Sequence, residues 1–301
     1  MRDVRDQARG LRLVATTRAQ AGQYDEAEAI IGGLIDAEKK EALRDLATVL
    51  MRANHLEKAG EIAQTIRDRG VQAVVLRDLT VALATAGRDS EAEAVASAIP
   101  VDWRREQARH NLAMTLAQAG RFEEAEAAAR AIEDQQVRAL ALSDLGASLA
   151  QAGSGRAELA FNDAWELART LRDPVRRAEA LRHLASGQAP AGEPRARQAF
   201  AEAEESARDL PDESLRSEAL RDLAASLVQA GYCGDALCVV GVPGPDGFVQ
   251  VLALWAPAFE RLGQGLSVTV LRAAIDVAGW AHSGWRTILE LLSTPEAATG
   301  E

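Results

Sequence analysis

Residues 109–132 read RHNLAMTLAQAGRFEEAEAAARAI, and this stretch decides the fold. Its first half places Leu112 and Leu116 on one helical face and ends at Gly120, because glycine takes the left-handed backbone just past a helix end without penalty. Its second half opens on two acids, which suit the positive end of a helix, and then carries alanines and Ile132 at helical spacing. The stretch predicts two short helices joined at a glycine corner, neither of which can bury its apolar face alone.

Similar text recurs along the chain, with its corner residue at regular intervals. The corner residues are Gly22, Asn54, Gly87, Gly120, Gly153, Gly192 and Gly231. They are spaced 32, 33, 33, 33, 39 and 39 residues apart. A period of this length with two helices per unit is typical of an α-solenoid. We therefore predict an all-α fold, a right-handed α-solenoid of about seven helix-turn-helix repeats.

Two of the units differ in length from the others, and they account for the wider spacing. The second helix is predicted to run from about Gly155 to Leu171 in the fifth unit and from about Pro194 to Leu210 in the sixth. Each is about six residues longer than the earlier second helices, which adds about 9 Å of helix.

The repeats occupy residues 1–243, and different text follows in residues 244–301. A turn-forming run at 242–247, VPGPDG, marks the change. The later text holds three of the chain's five tryptophans: Trp255, Trp280 and Trp285. Large aromatic side chains suit a bundle that covers the exposed face of a last repeat. We therefore predict a C-terminal helical capping segment over 244–301.

Two units show a residue pattern that is known from a family of repeats. The pattern is a large, a small and a large residue, then the corner glycine and a later alanine. It is carried by Leu112, Ala113, Leu116, Gly120 and Ala125, and again by Leu223, Ala224, Leu227, Gly231 and Ala236. In this respect the chain resembles the tetratricopeptide repeat (TPR), over about four-fifths of its length. It departs from that family in a unit one residue short of the usual 34 and in the absence of the early Trp. The resemblance implies a TPR-like solenoid and says little about function, since the family binds many unrelated partners.

Composition restricts the partners and the compartment. The net charge of −11 and the pI of about 5.0 argue against broad nucleic-acid affinity, which needs a cationic surface. The N-terminal MRDVRDQARG has charges where a signal peptide needs an apolar core. Residues 247–259, an uncharged apolar stretch, are too few to span a bilayer, and two cysteines are too few for a disulfide framework. We expect a cytoplasmic protein with no membrane partner, and we regard nucleic acid as a disfavoured partner.

The sequence offers little for catalysis or metal binding. Its four histidines are far apart, and Cys233 and Cys238 lack the further Cys or His that a zinc site needs. It contains no GxGxxG after a strand, P-loop, GxSxG or HExxH motif. We therefore predict no enzyme activity, no cofactor, and no catalytic or metal-binding residues.

One position of the first helix carries a charged residue in most units. These residues, here called the arginine ladder, are Arg12, Arg44, Arg77, His110, Arg182 and Arg221, with Ser143 in the fifth unit. In the TPR family this position points into the concave groove, so the resemblance implies a row of cations that could bind carboxylates or phosphates. The residue that follows is acidic at Asp45, Asp78, Asp144 and Asp222, so each ladder residue could instead form an ion pair that ties repeats together. Both interpretations stay open at this point.

The expected function is a non-enzymatic protein- or peptide-binding scaffold that uses the concave face of the repeat array. The partner is a protein or peptide, an acidic one if the arginines bind it. The alternative is a sensor or regulatory repeat segment of a larger bacterial signalling or defence ATPase or protease system, because such proteins have similar alanine-rich repeats with a different tail. Single-stranded RNA binding is disfavoured by the acidic balance. The sequence indicates no oligomeric state.

Overall fold

The computed structural model describes residues 2–240 and, beyond them, residues 256, 260, 265, 267–269 and 272. All regular structure in this part of the chain is helical, which confirms the all-α prediction. The first helices of the units are α1 (Arg2–Gln20), α3 (Asp36–Arg52), α5 (Arg69–Thr85), α7 (Asp102–Gln118), α9 (Gln135–Gln151), α11 (Pro174–Gln188) and α13 (Glu213–Gln229). The second helices are α2 (Tyr24–Gly32), α4 (Leu56–Thr65), α6 (Asp89–Ser97), α8 (Phe122–Arg130), α10 (Ala157–Thr170), α12 (Ala196–Arg208) and α14 (Cys233–Val240). Apart from the single positions just given, the predicted capping segment 244–301 lies outside the described residues.

Each first helix ends at the corner residue that the sequence predicts. The six corner glycines have φ between 70° and 84°, and Asn54 has φ 61°. At the fourth corner the backbone N–H of Arg121 donates to the carbonyl of Leu116 at 2.9 Å, and that of Gly120 donates to Ala117 at 3.0 Å. These two bonds satisfy the last carbonyls of the helix and turn the chain into the next one.

The units stack through the leucines of the first helices. Leu46, Leu79, Leu112 and Leu145 occupy one position in successive units and are each at most 2% exposed. From α1 to α9, consecutive first helices pack against each other, and each of α2, α4, α6 and α8 also contacts the first helix of the next unit. The contacts divide the chain into two compact bodies, Met1–Leu167 and Ala168–Glu301. In the second body, α11 packs on α12 and α13, and α13 packs on α14. The chain is therefore an array of helical repeats; its right-handed sense stays a prediction.

The second helices of the fifth and sixth units are longer, as predicted. Helix α10 has 14 residues and α12 has 13, whereas α2, α6 and α8 have 9. The difference is four to five residues rather than six, because the flanking Gly155 and Pro194 lie outside the helices.

An arginine near the start of several first helices binds the end of the preceding second helix. The bonds run from Arg105 to the carbonyl of Ile99 at 3.2 Å, Arg138 to Ile132 at 2.7 Å, Arg177 to Leu171 at 3.2 Å, and Arg216 to Leu210 at 3.1 Å. The last carbonyls of a helix lack intrahelical partners and carry partial negative charge, so a cation is favourable there. This contact holds the start of each of these four first helices at the end of the second helix before it.

Candidate functional site

The arginine ladder lies on the side of the first helices that points away from the buried leucines. In α5, for example, Val74, Arg77 and Val81 are spaced by three and four residues and share one face. All three are half-buried, as are the equivalent His110 and Met114 of α7. We call this surface of α3, α5, α7 and α9 the first-helix face. It combines apolar side chains with one charged or polar position per unit.

Arg12 joins the first two units. Its Nε donates to Oδ2 of Asp45 at 3.0 Å, and its Nη1 donates to Oε2 of Glu38 at 3.5 Å. Both acceptors belong to α3. The side chain of Arg12 is 33% exposed, so water screens this pair only in part.

Arg44 and Arg77 form their ion pairs within their own helices. Arg44 contacts Glu41 at 2.8 Å and Asp45 at 3.6 Å. Arg77 donates to Oδ1 of Asp78 through Nε at 3.0 Å and Nη2 at 2.7 Å. These two residues therefore do not tie one repeat to the next.

The ladder becomes less charged in the fourth and fifth units. Nε2 of His110 lies 2.9 Å from Oδ2 of Asp144, which belongs to the next first helix. The fifth unit has Ser143, which is 1% exposed, and its Oγ has no hydrogen-bond partner among the described residues. The His110–Asp144 contact is thus a second link between adjacent units.

The two ladder residues of the second body differ from each other. Nη1 of Arg182 donates to Oγ of Ser226 in α13 at 3.1 Å, and Arg182 lines a cleft of about 240 Å³ with Glu179 and Glu218. Arg221 is exposed and forms no hydrogen bond or ion pair with any residue that the structure describes. Its guanidinium is therefore available to a partner.

Taken together, the geometry shows where the two interpretations of the ladder apply. Arg12 and His110 each bind an acid of the first helix in the next unit, as the structural interpretation requires. Arg44 and Arg77 are neutralised inside their own units, and Arg221 faces solvent. The first-helix face of residues 1–167 is therefore a surface of paired charges rather than a strip of free cations.

Comparisons with known proteins add little to this description. No protein-family model matches the chain, and no curated protein matches it. Among solved structures, Ton1535 from Thermococcus onnurineus NA1 is 16% identical over 88% of this chain and 95% of that one, with a TM-score of 0.25. A circular tandem repeat protein with novel repeat topology is 13% identical over 92% of this chain and 64% of that one, with a TM-score of 0.22. Neither similarity extends what the helix packing shows.

A second row of ion pairs, which the sequence did not lead us to predict, joins the second helices. It comprises Lys58 with Asp25 at 2.5 Å, Arg88 with Glu57 at 2.6 Å, Arg121 with Asp89 at 2.9 Å, Arg130 with Asp163 at 2.9 Å, and Arg156 with Glu123. The hydrogen bond and charge of Lys58 hold the pKa of Asp25 below its usual value. Two of the cations, Arg88 and Arg121, directly follow a corner glycine, and this spacing is the signal that could have revealed the row.

A buried charged cluster in α7 is the other feature that the sequence left unnoticed. Arg109 is 9% exposed, and Glu106 is 6% exposed. The guanidinium contacts Glu93 at 3.4 Å, Ser97 at 3.3 Å, Glu133 at 3.3 Å and Glu106 at 3.7 Å. Glu106 in turn accepts a hydrogen bond from the backbone N–H of Glu133 at 2.8 Å. Most other units have Leu where Arg109 stands, and that departure from the repeat is the visible signal.

The described part of the chain contains neither a candidate membrane span nor a candidate metal site. There, no helix is long and apolar enough to cross a bilayer. The same residues contain no group of three or more His, Cys, Asp or Glu side chains that could hold a metal ion.

Proposed function

We propose that this chain is a TPR-like protein- or peptide-binding scaffold, and that the first-helix face of residues 1–167 holds an extended segment of its partner. One observation supports this above the others. The position of Val81 is half-buried in all four helices α3, α5, α7 and α9, where it is Thr48, Val81, Met114 and Ala147, and these helices pack side by side. A surface of repeated, partly covered positions suits a ligand that is itself repetitive, such as an extended peptide.

The chemistry of the face favours the peptide main chain and apolar side chains. Val74, Val81, Met114 and Leu140 supply half-buried apolar surface. The pair Arg77–Asp78 offers both N–H donors and carboxylate acceptors, which match the C=O and N–H groups of a peptide backbone. Because the arginines of this face already have carboxylate partners, an acidic peptide gains less from them than it would from free cations.

A pair of matched double variants tests the proposal. Val81→Glu with Met114→Glu places two acids on the first-helix face of the third and fourth units. Ala94→Glu with Ala127→Glu places the same charge on exposed positions of the second helices α6 and α8 in the same units. Peptides selected from a random library on the wild-type protein supply the probes, and fluorescence anisotropy measures their dissociation constants.

We expect the first-helix variant to weaken binding by about tenfold or more, since a buried contact and its desolvation are lost together. The second-helix variant should bind as the wild type does. Circular dichroism must show both variants folded at the temperature used. Equal affinity for the two variants would overturn the proposed site, and failure of the library to yield any specific peptide would overturn the proposed function.

A further inference from the structure

An open cleft of about 710 Å³ lies among the first three units, away from the arginine ladder. It is bounded by the end of α2, the start of α3 and the segment that joins α4 to α5. Its apolar wall is formed by Ile31, Leu43 and Ile66. Three cations, Lys39, Lys40 and Arg67, line the same space.

One later unit shows a different arrangement at the equivalent place. Two units further along, 66 residues on, Leu43 corresponds to Arg109, Lys40 to Glu106 and Arg67 to Glu133. In that later unit the guanidinium of Arg109 fills the space, with Glu133 at 3.3 Å and Glu106 at 3.7 Å. With Glu93 at 3.4 Å, the cation there contacts three carboxylates of the protein.

In the cleft of the first three units, two of the three positions carry the opposite charge. Two cations, Lys40 and Arg67, stand where the later unit has carboxylates, and the short Leu43 leaves empty the space that Arg109 fills. The unit between them has three uncharged residues, Ala73, Leu76 and Pro100, at the same positions. Among these three units, the first cleft is the version with cations at the positions of Lys40 and Arg67.

The partners of these cations show which charge remains free. Asp68 accepts from the backbone N–H of Val71 at 3.0 Å and from Nζ of Lys40 at 2.7 Å. The positive charge of Lys40 is therefore balanced. Lys39 makes only a 3.5 Å contact with the carbonyl of Gly32, and Arg67 is exposed and forms no hydrogen bond or ion pair with the residues that the structure describes.

We propose that this cleft binds a small organic monocarboxylate, with its carboxylate at Arg67 and Lys39 and its apolar part against Ile31, Leu43 and Ile66. A guanidinium forms paired, charge-assisted hydrogen bonds with a carboxylate, so Arg67 supplies orientation as well as charge. The exposed acids at the rim, Glu28 and Asp36, disfavour ligands with several negative charges. The volume lies within the range of small-molecule sites.

Four six-carbon probes separate the contribution of charge from that of the apolar chain. Hexanoate, hexanol, hexylamine and hexyl phosphate are titrated into the ¹⁵N-labelled protein at equal ionic strength, and the amide signals of Gly32, Gly33 and Arg67 report binding. We expect hexanoate to saturate these shifts in the millimolar range, as fragments of this size do. Hexanol and hexylamine should bind about tenfold more weakly or not at all, because they lack the charge-assisted bonds.

Three variants locate the site. Arg67→Gln should weaken hexanoate about tenfold, because it removes the paired bonds. Arg52→Gln, which removes an exposed cation from the other end of α3, should leave binding unchanged. Ala37→Trp places at the rim the residue found in the equivalent position of α7, Trp103, and should block hexanoate without removing a charge.

Each outcome bears on the proposal. Saturable hexanoate binding that is lost in Arg67→Gln and Ala37→Trp and kept in Arg52→Gln supports it. Equal binding of hexylamine, unchanged binding in Ala37→Trp, or an absence of saturation would overturn it. Tighter binding of hexyl phosphate than of hexanoate would overturn the preference for a single carboxylate. The site is independent of the first-helix face, so these results do not depend on peptide binding.

Discussion

Gly146 of α9 lies directly against the ring of Phe161 in α10. A Cβ atom at position 146 would come within 2.7 Å of Cδ1 of Phe161, which is closer than real Cβ contacts allow. The equivalent residues of α3 and α7 are Ala47 and Ala113. Phe161 is 1% exposed, so its ring is enclosed by other side chains. In the fifth unit, the ring of Phe161 on the second helix therefore occupies the space that the methyl groups of Ala47 and Ala113 occupy in the second and fourth units.

We predict that Gly146→Ala destabilises the protein although alanine is the better helix former. Overpacking costs about 1–3 kcal/mol, which outweighs the gain of up to about 1 kcal/mol in helix propensity. Gly60→Ala in α4 is the matched control, because its Cβ would meet Leu79 at an ordinary 3.6 Å. Urea unfolding should show a lower midpoint for the first variant and a higher one for the second. A gain in stability for both would mean that the ring of Phe161 can move aside.

The buried cluster of α7 leads to a second prediction. Arg109→Leu restores the residue of the other units but leaves Glu106 buried without its strongest counter-ion. Removing one partner of a buried ion pair costs about 3–5 kcal/mol. We therefore expect the apparently conservative return to the repeat pattern to lower the urea midpoint sharply.

The residues of the third unit supply the control. There, Ala73, Leu76 and Pro100 replace Glu106, Arg109 and Glu133, and proline has no N–H that would need the lost carboxylate. The triple variant Glu106→Ala, Arg109→Leu, Glu133→Pro should recover most of the stability that Arg109→Leu loses. A triple variant as unstable as the single one would show that the charges are not the cause.

Much of the fold could be predicted because its signals are local and repeated. A glycine such as Gly120 marks a corner by its backbone freedom alone, and a leucine such as Leu112 recurs at the spacing of one helical face. Contacts between units were harder to predict. They depend on which side chains come together in space although they are about 33 residues apart in the sequence. Arg121 could bind several nearby acids, and only the packed structure shows that it reaches back to Asp89.

The candidate site was predicted in part for the same reason. The position of the ladder on the first helices follows from the repeat, but the partner of each residue does not. Arg12 is followed by Leu13 and binds Asp45 of the next unit, whereas Arg77 binds the Asp78 that follows it. The cleft near Arg67 could not be predicted from the sequence, because it depends on how much of the space between the helices the side chain of Leu43 fills.

The ion pairs of the second helices predict how stability depends on pH. Lys58 holds the pKa of Asp25 below 3.8, while a hydrogen bond from its own backbone N–H and then Arg88 hold the pKa of Glu57 below 4.5. The folded state therefore binds fewer protons than the unfolded state, so this stabilisation is complete above those values and is lost as the pH falls through the lowered ones. The hydrogen bond to Asp25 raises the pKa of Lys58 above 10.5, so its share is complete below 10.5 and is lost as the pH rises further.

Melting temperatures should thus form a plateau from about pH 5 to about pH 10 and fall on both sides. In Lys58→Gln with Arg88→Gln, the fall between the plateau and pH 3 should be smaller than in the wild type. Added salt should reduce this difference, because the pairs are exposed and screened. An identical acid profile for the wild type and the variant would show that these pairs do not contribute.

The last prediction separates the two interpretations of the arginine ladder. Arg12→Gln removes the bonds to Asp45 and Glu38 that join the first two units, and should lower the urea midpoint by an amount equivalent to up to about 1 kcal/mol. Arg221→Gln should leave it unchanged, because Arg221 has no partner among the described residues. If the free guanidinium binds an acidic peptide, Arg221→Gln should weaken that binding at unchanged stability, and salt should weaken the wild type in the same way. Equal stability losses for the two variants would contradict the assignment of Arg12, and not Arg221, to a structural role.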